Sequence, residues 1–379
     1  MSTVPGASGV PDPAPRRPIW TRLYHGETNF DIVGRRRLWF AVSLIAVLVG
    51  GLSLATQELN LGIDFEGGVV WEVPANEASV ADARDAVRQH GLANATIQEA
   101  SSDAGSLLRV EAEPVSAEVS DEVSAALAEG TGSSIDDVNL TEVGPSWGRE
   151  ISEKALRALM VFLVLVTIYI ALRFELKMAI PTLVALVHDV IITVGIYSLF
   201  RLEVTPATVV AVLTILGYSV YDGIVVFDKV DENTRLVSST GGLSYSGMVN
   251  VSLNQTLMRS LNTTITSVLP VGALLVVGSW LLGAVVLQEF AIALLIGLFA
   301  GAYSSLFVAS PLLAWLKERE PRYRDIRRRI DARGGEGEAV AAAVAGAGDA
   351  TGPRTPAGAT VSPTGRVIPA RPRKKTKRR

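Results

Sequence analysis

Six long apolar runs dominate this sequence and restrict the folds that it can adopt. A helix rises about 1.5 Å per residue, so roughly 20 apolar residues cross the ~30 Å hydrocarbon core of a bilayer. Hydrophobic residues make up 49% of the chain and charged residues only 19%, fewer charges than the about 25% of typical soluble domains. The sequence therefore predicts an α-helical polytopic membrane protein with six transmembrane helices. The predicted spans cover residues 38–55, 155–172, 178–200, 204–227, 260–282 and 289–316.

Basic residues flank the first and the last apolar runs. Arg35, Arg36 and Arg37 precede the first run, and Lys317 and Arg319 follow the last. Six spans place both termini on one side of the membrane, and basic flanks mark the cytoplasmic side. We therefore expect both termini in the cytoplasm and the segment between the first two spans outside it.

Residues 56–150, between the first two spans, form the predicted extracytoplasmic domain. Strand and helix patterns follow one another there in the order β-α-β-β-α-β, which is that of a ferredoxin-like α+β fold. Residues 57–150 hold 19 acidic and 4 basic side chains. The simplest interpretation of this acidity is a solvated outer surface, and the alternative is attraction to basic stretches of a passing partner.

Two terminal segments and a membrane domain complete the predicted organisation. Residues 1–37 are expected to form a cytoplasmic N-terminal segment that is partly disordered, and residues 151–320 contain the second to sixth spans. Residues 321–379 are predicted to be a basic, disordered cytoplasmic tail, because most of this segment lacks large apolar side chains to bury. Its Lys- and Arg-rich end suits lipid head groups, and no specific nucleic-acid site is indicated.

Two glycine-containing motifs bracket the external domain. They contain Gly62, Asp64, Gly67 and Gly68 on one side, and Gly144 and Pro145 on the other. Glycine permits positive φ and close backbone approach, so the chain can turn at these motifs between the membrane and the domain. The motifs are either ordinary linkers or paired hinges that let the domain swing relative to the membrane.

Asp222 lies inside the fourth apolar run. A carboxylate at that depth costs at least about 2.5–3.5 kcal/mol on insertion scales, so it needs a partner or a function. Arg259 opens the fifth run, and Thr263, Thr266 and Ser267 follow it at three- and four-residue steps, as a polar stripe on one helix face. The pattern indicates a proton relay. Asp222 and Arg259 would form either a static salt bridge or, as we favour, a switchable ion pair.

His188 and Asp189 form a second polar pair, within the third apolar run. Imidazole titrates near neutrality, so this pair could shuttle protons. A satisfied polar pair that locks helix packing is the alternative interpretation.

The sequence indicates neither a cofactor nor a metal site. The chain has no cysteine, and its three histidines, His25, His90 and His188, lack metal-ligand spacing. A Gly-rich phosphate loop is also missing from the sequence. We therefore expect no cofactor, no metal and no enzymatic activity.

Several of these motifs together closely resemble the SecF family, over roughly residues 30–320. The matching motifs, in the order of the family, are Gly62–Gly68, Val143–Pro145, Arg173–Glu175, His188-Asp189, Gly217–Asp222, Val225–Asp228 and Ser252–Arg259. The resemblance implies membership of the RND superfamily, six spans and a ferredoxin-like external domain. It also implies that Asp222 and Arg259 take part in proton conduction, with Thr263 one turn beyond the arginine. One departure is Tyr221, where the family usually has Asn.

The resemblance further implies a cellular function and partners. SecF proteins act with SecD in the bacterial cytoplasmic (inner) membrane, where the SecDF complex uses the proton gradient to promote preprotein export through the SecYEG translocon. The expected partners are SecD on a separate chain, SecYEG, a YajC-like subunit, the translocating preprotein and membrane lipids.

Two other functions compete with a proton-driven export subunit. One is a scaffold that stabilises the translocon without moving protons. The other is half of an RND-type exporter of small molecules or lipids, because one external domain and six spans are half of the RND arrangement. Neutralising Asp222 separates the scaffold from the proton-driven subunit.

Overall fold

The computed structural model describes residues 28–76, 78–102, 105–237, 243–281, 285–332, 335–336, 360–361 and 367–368. Residues 1–27, and with them most of the N-terminal segment predicted to be partly disordered, lie outside the described residues. Most of the predicted disordered tail beyond residue 336 also lies outside them.

The described chain enters a long helix and then an α+β domain. In chain order the elements are α1 (Arg36–Gln57), β1 (Asn60–Leu61), α2 (Ile63–Glu66), β2 (Gly68–Pro74), α3 (Val80–Arg88), β3 (Thr96–Ser102), β4 (Gly105–Ala112), α4 (Ala117–Thr131) and β5 (Asn139–Val143). From β2 onwards, the order of the main elements is the predicted β-α-β-β-α-β. Strands β2 to β5 form one antiparallel sheet in the order β3-β4-β2-β5, with β4 and β2 as its two central strands.

The sheet and the helices α3 and α4 enclose an apolar core. Val69, Trp71 and Val73 alternate along β2, and all three are fully buried in this core together with Leu127 of α4. The Trp71 indole Nε1 donates a hydrogen bond to Ser124 Oγ at 3.0 Å, so its one polar atom is satisfied. The domain therefore buries a core of its own, apart from the membrane helices.

The remaining elements form the helical bundle. They are α5 (Pro145–Arg173), α6 (Leu176–Leu199), β6 (Glu203–Val204), α7 (Pro206–Val237), α8 (Tyr245–Leu275), α9 (Val285–Ser304) and α10 (Ser310–Lys317). A π-helical segment, residues 305–309, joins α9 to α10 and makes one continuous span. With α1 included, the described residues contain six helices long and apolar enough to cross a membrane, which confirms the predicted number.

Glycines bring two of the central spans into close contact. Gly297 and Gly301, one turn apart on α9, face Ile215 and Ser219 of α7. A Cβ atom on Gly297 would lie 2.2 Å from the Ile215 side chain, closer than any side chain tolerates. Without a hydrophobic driving force between helices in lipid, such close backbone approach is a main source of helix association. The spans α6, α7 and α9 are correspondingly the most buried.

The prediction that the tail is disordered from residue 321 is wrong for its first part. Residues Pro321–Ala332 form a helix, α11, and Tyr323 and Ile330 on it are buried. The polar composition of this segment concealed the helix, because two well-placed apolar side chains suffice to dock it. Further along, β7 (Thr360–Val361) pairs antiparallel with β8 (Val367–Ile368).

Candidate functional site

Asp222 of α7 lies at the centre of the bundle, with 5% of its surface exposed. Its Oδ1 accepts a hydrogen bond from Ser260 Oγ of α8 at 2.7 Å. Its Oδ2 accepts a short hydrogen bond from Ser305 Oγ, at the start of the π-helical segment. Both carboxylate oxygens are therefore held by neutral hydroxyl groups that come from two different spans.

Asp189 of α6 is a second buried carboxylate, with 1% of its surface exposed. Its Oδ2 accepts hydrogen bonds from Ser219 Oγ of α7 at 2.6 Å and from Ser304 Oγ of α9 at 2.9 Å. Its Oδ1 lies 3.2 Å from Nδ1 of His188. The predicted His188–Asp189 pair is thus formed, and it is part of a larger polar cluster.

Two consecutive serines of the sixth span, at the end of α9 and the start of the π-helical segment, supply one hydroxyl group to each aspartate. Ser304 and Ser305 are consecutive, so their side chains leave the helix in different directions and reach different neighbours. Ser310 Oγ donates to the Ser305 carbonyl oxygen at 2.8 Å. The two residues are five positions apart, which is the spacing of hydrogen bonds in a π-helix. Single π-turns inside α-helices often occur at functional sites, and this one lies where the two carboxylates meet one span.

No ion pair joins Asp222 to Arg259 among the described residues, so a static salt bridge is wrong, whereas a switchable pair stays a prediction. The Arg259 side chain is exposed, and its Nη2 contacts the Tyr221 hydroxyl oxygen at 3.5 Å. The physical reason is helix geometry, because Arg259 and its neighbour Ser260 project about 100° apart and Ser260 occupies the face toward Asp222.

The hydroxyl stripe beyond Arg259 also lies away from Asp222. Thr263 Oγ1 donates to the Arg259 carbonyl oxygen at 2.8 Å, and Thr266 Oγ1 donates to the Asn262 carbonyl oxygen at 2.9 Å. Both hydroxyls thus bond to their own helix, and Ser267 lies partly exposed farther along it. From Arg259 to the end of α8, the buried residues are Ser260 and Thr264.

The two glycine motifs meet where the domain joins the bundle. The Gly62 N–H donates to the Val204 carbonyl oxygen at 2.9 Å, beside the parallel pairing of β1 with β6. Gly67 has a φ of +84°, which side chains rarely adopt, and it ends the short helix that contains Asp64 before Gly68 begins β2. Gly144 caps α5 and Pro145 is its first residue. One turn later, a Cβ on Gly148 would lie 2.4 Å from the Phe65 carbonyl oxygen, so both motifs share one packed junction.

Carboxylates also gather at this junction. Glu203 lies between α6 and α7, and one of its side-chain oxygens is buried without a hydrogen-bond partner. Burial raises the pKa of Glu203 to about 7, and the negative charges of Glu111, Glu289 and Asp64 add to this effect. The guanidinium of Arg109 acts in the opposite direction, toward a lower pKa for Glu203. Glu203 is therefore a titratable group at the domain–bundle junction.

Sequence reasoning found the two aspartates but missed the residues that hold them. These are Ser219, Ser260, Ser304 and Ser305, and at the junction Glu203. One signal was available, since Ser304-Ser305 is a consecutive hydroxyl pair within the sixth apolar run. Nothing in the spacing of Ser219 or Ser260 alone distinguishes them from other small residues of the spans. In the part of the chain that the structure describes, no three His, Asp or Glu side chains are placed to hold a metal ion.

The fold and the buried carboxylates together define an integral membrane protein with six spans and one α+β domain between the first two. The family model described as protein export membrane protein SecD/SecF, C-terminal, matches residues 123–319. The SecD/SecF GG motif matches residues 52–78, which include Gly67 and Gly68.

Curated relatives give the same result. The chain is 41% identical to protein translocase subunit SecF of Streptomyces coelicolor, over 91% of this chain and 93% of that one. It is also 41% identical to protein translocase subunit SecF of Mycobacterium tuberculosis, over 82% of this chain and 72% of that one. The chain therefore belongs to the SecD/SecF family of protein export membrane proteins, and these relatives within the family are SecF subunits.

Among solved structures, the chain resembles SecDF, a translocon-associated membrane protein from Thermus thermophilus. The TM-score is 0.68 at 34% identity, and the alignment covers 78% of this chain and 39% of that one. A SecDF structure in a super-membrane-facing form gives a TM-score of 0.57 at 33% identity, with 81% and 40% coverage. The chain thus corresponds to about two fifths of those SecDF chains.

Proposed function

We propose that this chain is the SecF-type subunit of a complex that uses the proton gradient to promote preprotein export through the SecYEG translocon. The observation that carries the proposal is the environment of Asp222, a carboxylate buried mid-span whose two oxygens accept only serine hydroxyls among the described residues. The chain acts as a transport subunit and not as an enzyme.

The hydroxyl partners suit a group that gains and loses a proton. A hydroxyl can donate to a carboxylate and can accept from a carboxylic acid, whereas an ammonium or guanidinium group can only donate. The Ser305 hydroxyl also has a second acceptor, the Ala302 carbonyl oxygen at 3.3 Å. When Asp222 binds a proton, Ser305 can turn to that carbonyl and accept from the carboxyl group. Protonation therefore changes the contact between α7 and the sixth span.

The available energy is sufficient to drive such a change. One proton that moves down 100 mV releases about 2.3 kcal/mol, before any pH gradient is counted. Movement of α7 reaches the external domain directly, because β6 at its start pairs with β1 and the Val204 carbonyl oxygen accepts from Gly62. In this proposal the glycine junction transmits the shift to a ferredoxin-like, extracytoplasmic domain.

The partners in this proposal include SecD on a separate chain. The Streptomyces and Mycobacterium relatives are named as SecF subunits, whereas the Thermus relative is a single SecDF chain that this chain matches over 40% of its length. The exposed Arg259 and its stripe on α8 are costly in lipid and suit a neighbouring subunit. Both termini lie in the cytoplasm, and the complex lies in the bacterial inner membrane. The further partners are SecYEG, a YajC-like subunit, the preprotein and lipids.

The decisive experiment compares two Asp→Asn changes on α7. Asp222→Asn keeps the shape but removes the exchangeable proton, so the uncoupler-sensitive part of preprotein release from membrane vesicles should fall to background. Asp228→Asn is the matched control, because Asp228 is exposed and pairs with Arg173 at 2.7 Å. If Asp222→Asn releases preprotein at the wild-type rate with full uncoupler sensitivity, the chain is a scaffold and not a proton-driven subunit.

A further inference from the structure

Asp189 is a buried titratable group to which the proposed function gives no task. It is the more deeply buried of the two aspartates, and it accepts two serine hydroxyls as Asp222 does. A carboxylate needed only for packing could be replaced by an apolar side chain at lower cost, because burying its charge is expensive.

His188 has an unsatisfied nitrogen in the same cluster. The His188 side chain is 8% exposed, and its Nε2 is buried without a hydrogen-bond partner. Its Nδ1 lies 3.2 Å from Asp189 Oδ1, so Nδ1 carries the proton and Nε2 presents a lone pair when the ring is neutral. A buried unpaired polar atom costs about 1–3 kcal/mol, and a proton is a ligand that Nε2 can bind.

The order of the two aspartates across the membrane follows from α7. This helix starts at Pro206, beside the α+β domain, and runs away from it. Ser219, which bonds Asp189, precedes Asp222 by three residues, or roughly 4.5 Å of helix rise. Asp189 therefore lies nearer the domain side than Asp222.

The hydroxyl groups between the two aspartates can change partners. Ser304 Oγ donates to Asp189 but also lies 3.2 Å from the Gly301 carbonyl oxygen. Ser305 Oγ has the same choice between Asp222 and the Ala302 carbonyl oxygen. Ser304 ends α9 and Ser305 begins the π-helical segment, so the two donors are joined by one peptide bond and the protonation state of one aspartate affects the backbone that positions the donor of the other.

We propose that His188 and Asp189 form a second proton-binding station on the domain side of Asp222, coupled to it by Ser304 and Ser305. A proton that binds Nε2 is matched by transfer of the Nδ1 proton to Asp189 Oδ1. The imidazole is then neutral in its other tautomer, and the Asp189 Oδ1–H donates to His188 Nδ1. Asp189 Oδ2 is then the carbonyl oxygen of a neutral acid and a weaker acceptor for Ser304, which can turn to the Gly301 carbonyl oxygen. Ser219 and Ser304 face Asp189 from α7 and α9, and the Tyr303 ring stacks on His188 at 6.1 Å. This inference rests on the proposed function, since it extends the same relay.

The test measures carboxyl protonation directly, by infrared difference spectroscopy of the full-length chain between low and high pH. We expect one protonated-carboxyl band that is lost in Asp189→Asn and a different band that is lost in Asp222→Asn. Ser304→Ala should shift the Asp189 band and keep it. Ser53→Ala, a buried serine that bonds Ser198 at 3.0 Å far from both aspartates, should leave both bands in place.

Preprotein release from vesicles supplies the second measurement. Asp189→Asn should lower the uncoupler-sensitive rate about a hundredfold, as expected for a positioned proton-transfer group. Ser304→Ala should lower it roughly fivefold, the effect of one hydrogen bond. Ser53→Ala should match the wild type.

The outcomes separate this inference from the proposed function. If Asp189→Asn retains every band and the wild-type rate while Asp222→Asn loses export, the second station does not exist and the proposed function stands. If Asp222→Asn also retains uncoupler-sensitive export, the proposed function itself fails. Should Asp189→Asn not fold, Ser304→Ala decides, because an unshifted spectrum in that variant overturns the coupling.

Discussion

The α+β domain buries Val69, Trp71 and Leu127 in its core, whereas the helical bundle buries Asp189 and Asp222 at its centre. The domain is surrounded by water and gains stability from removing apolar surface from it. The bundle spans lipid, where apolar side chains gain little from burial against one another. Its centre can therefore hold polar groups, and its helices associate through close contact instead.

This difference assigns separate tasks to the two regions. Stability explains the domain core, because the core consists of apolar side chains and the one polar atom of Trp71, Nε1, is hydrogen-bonded to Ser124. The bundle centre holds two acids, four serine hydroxyls and an unpaired imidazole nitrogen, which an interior selected only for stability would avoid. The junction at Glu203 connects the two regions and shares features of both. Four changes, from the largest expected effect to the smallest, test the comparison.

Gly297→Leu should have the largest effect, and it should act on the bundle alone. The new side chain would collide with Ile215 from its Cβ outward. The loss of stability should therefore exceed the about 1–3 kcal/mol that ordinary overpacking costs. We expect no monodisperse, folded protein in detergent by size-exclusion chromatography. Gly51→Leu is the control, because no atom lies within 4 Å of its added Cβ. Normal yield of Gly297→Leu would show that close α7–α9 contact is dispensable.

Leu127→Ala should destabilise the domain by about 2–5 kcal/mol, the usual cost of a cavity in a well-packed core. Urea unfolding of a fragment covering residues 66–146 measures this, and the wild-type fragment should unfold cooperatively. Glu118→Ala, on the exposed face of the same helix, should change stability by less than about 0.5 kcal/mol. A wild-type fragment without a cooperative transition would contradict the independent core.

Glu203→Gln should change how stability depends on pH. The pKa of Glu203 is raised from 4.5 to about 7 in the folded protein, so the folded state binds the proton more tightly than the unfolded state does. Stability therefore falls as pH rises from about 4.5 to about 7, and it is lowest above that range. Melting temperatures at pH 5 and pH 8 should differ less in Glu203→Gln than in the wild type. The exposed Glu118→Gln change should preserve the wild-type difference. If the melting temperatures of Glu203→Gln differ between pH 5 and pH 8 as much as those of the wild type, Glu203 is not the group that titrates.

Ser260→Ala should have the smallest effect of the four. It removes one of the two hydroxyl donors to Asp222 and leaves Ser305 in place. The loss of one hydrogen bond of about 0.5–1.5 kcal/mol should lower uncoupler-sensitive export a few-fold. Thr256→Val on the same helix is the control, because that hydroxyl bonds only its own backbone. Equal rates in the two variants would show that the α8 donor is not used.

The sequence predicted some features of the site correctly and others wrongly, for identifiable reasons. Asp222 was recognisable because a charge in an apolar run is conspicuous, and the His188–Asp189 pair was recognisable for the same reason. Arg259 was expected to pair with Asp222 but contacts Tyr221 in the structure, because a spacing pattern defines a stripe on a helix but not the direction in which the stripe faces. The serines could not be identified in advance, since serine is common in spans and binds its own backbone as readily as a partner.

The sequence by itself determined the six spans, the β-α-β-β-α-β order of the domain and the presence of two acids in the membrane. These depend on local composition and periodicity, which the chain carries without reference to its neighbours. Only the tertiary structure decided that Ser260 and not Arg259 meets Asp222, that Ser304 and Ser305 divide between two acids, and that the two glycine motifs share one junction. Those contacts depend on helix rotation and on a local π-turn, where a change of one residue turns a side chain by about 100° toward a different neighbour.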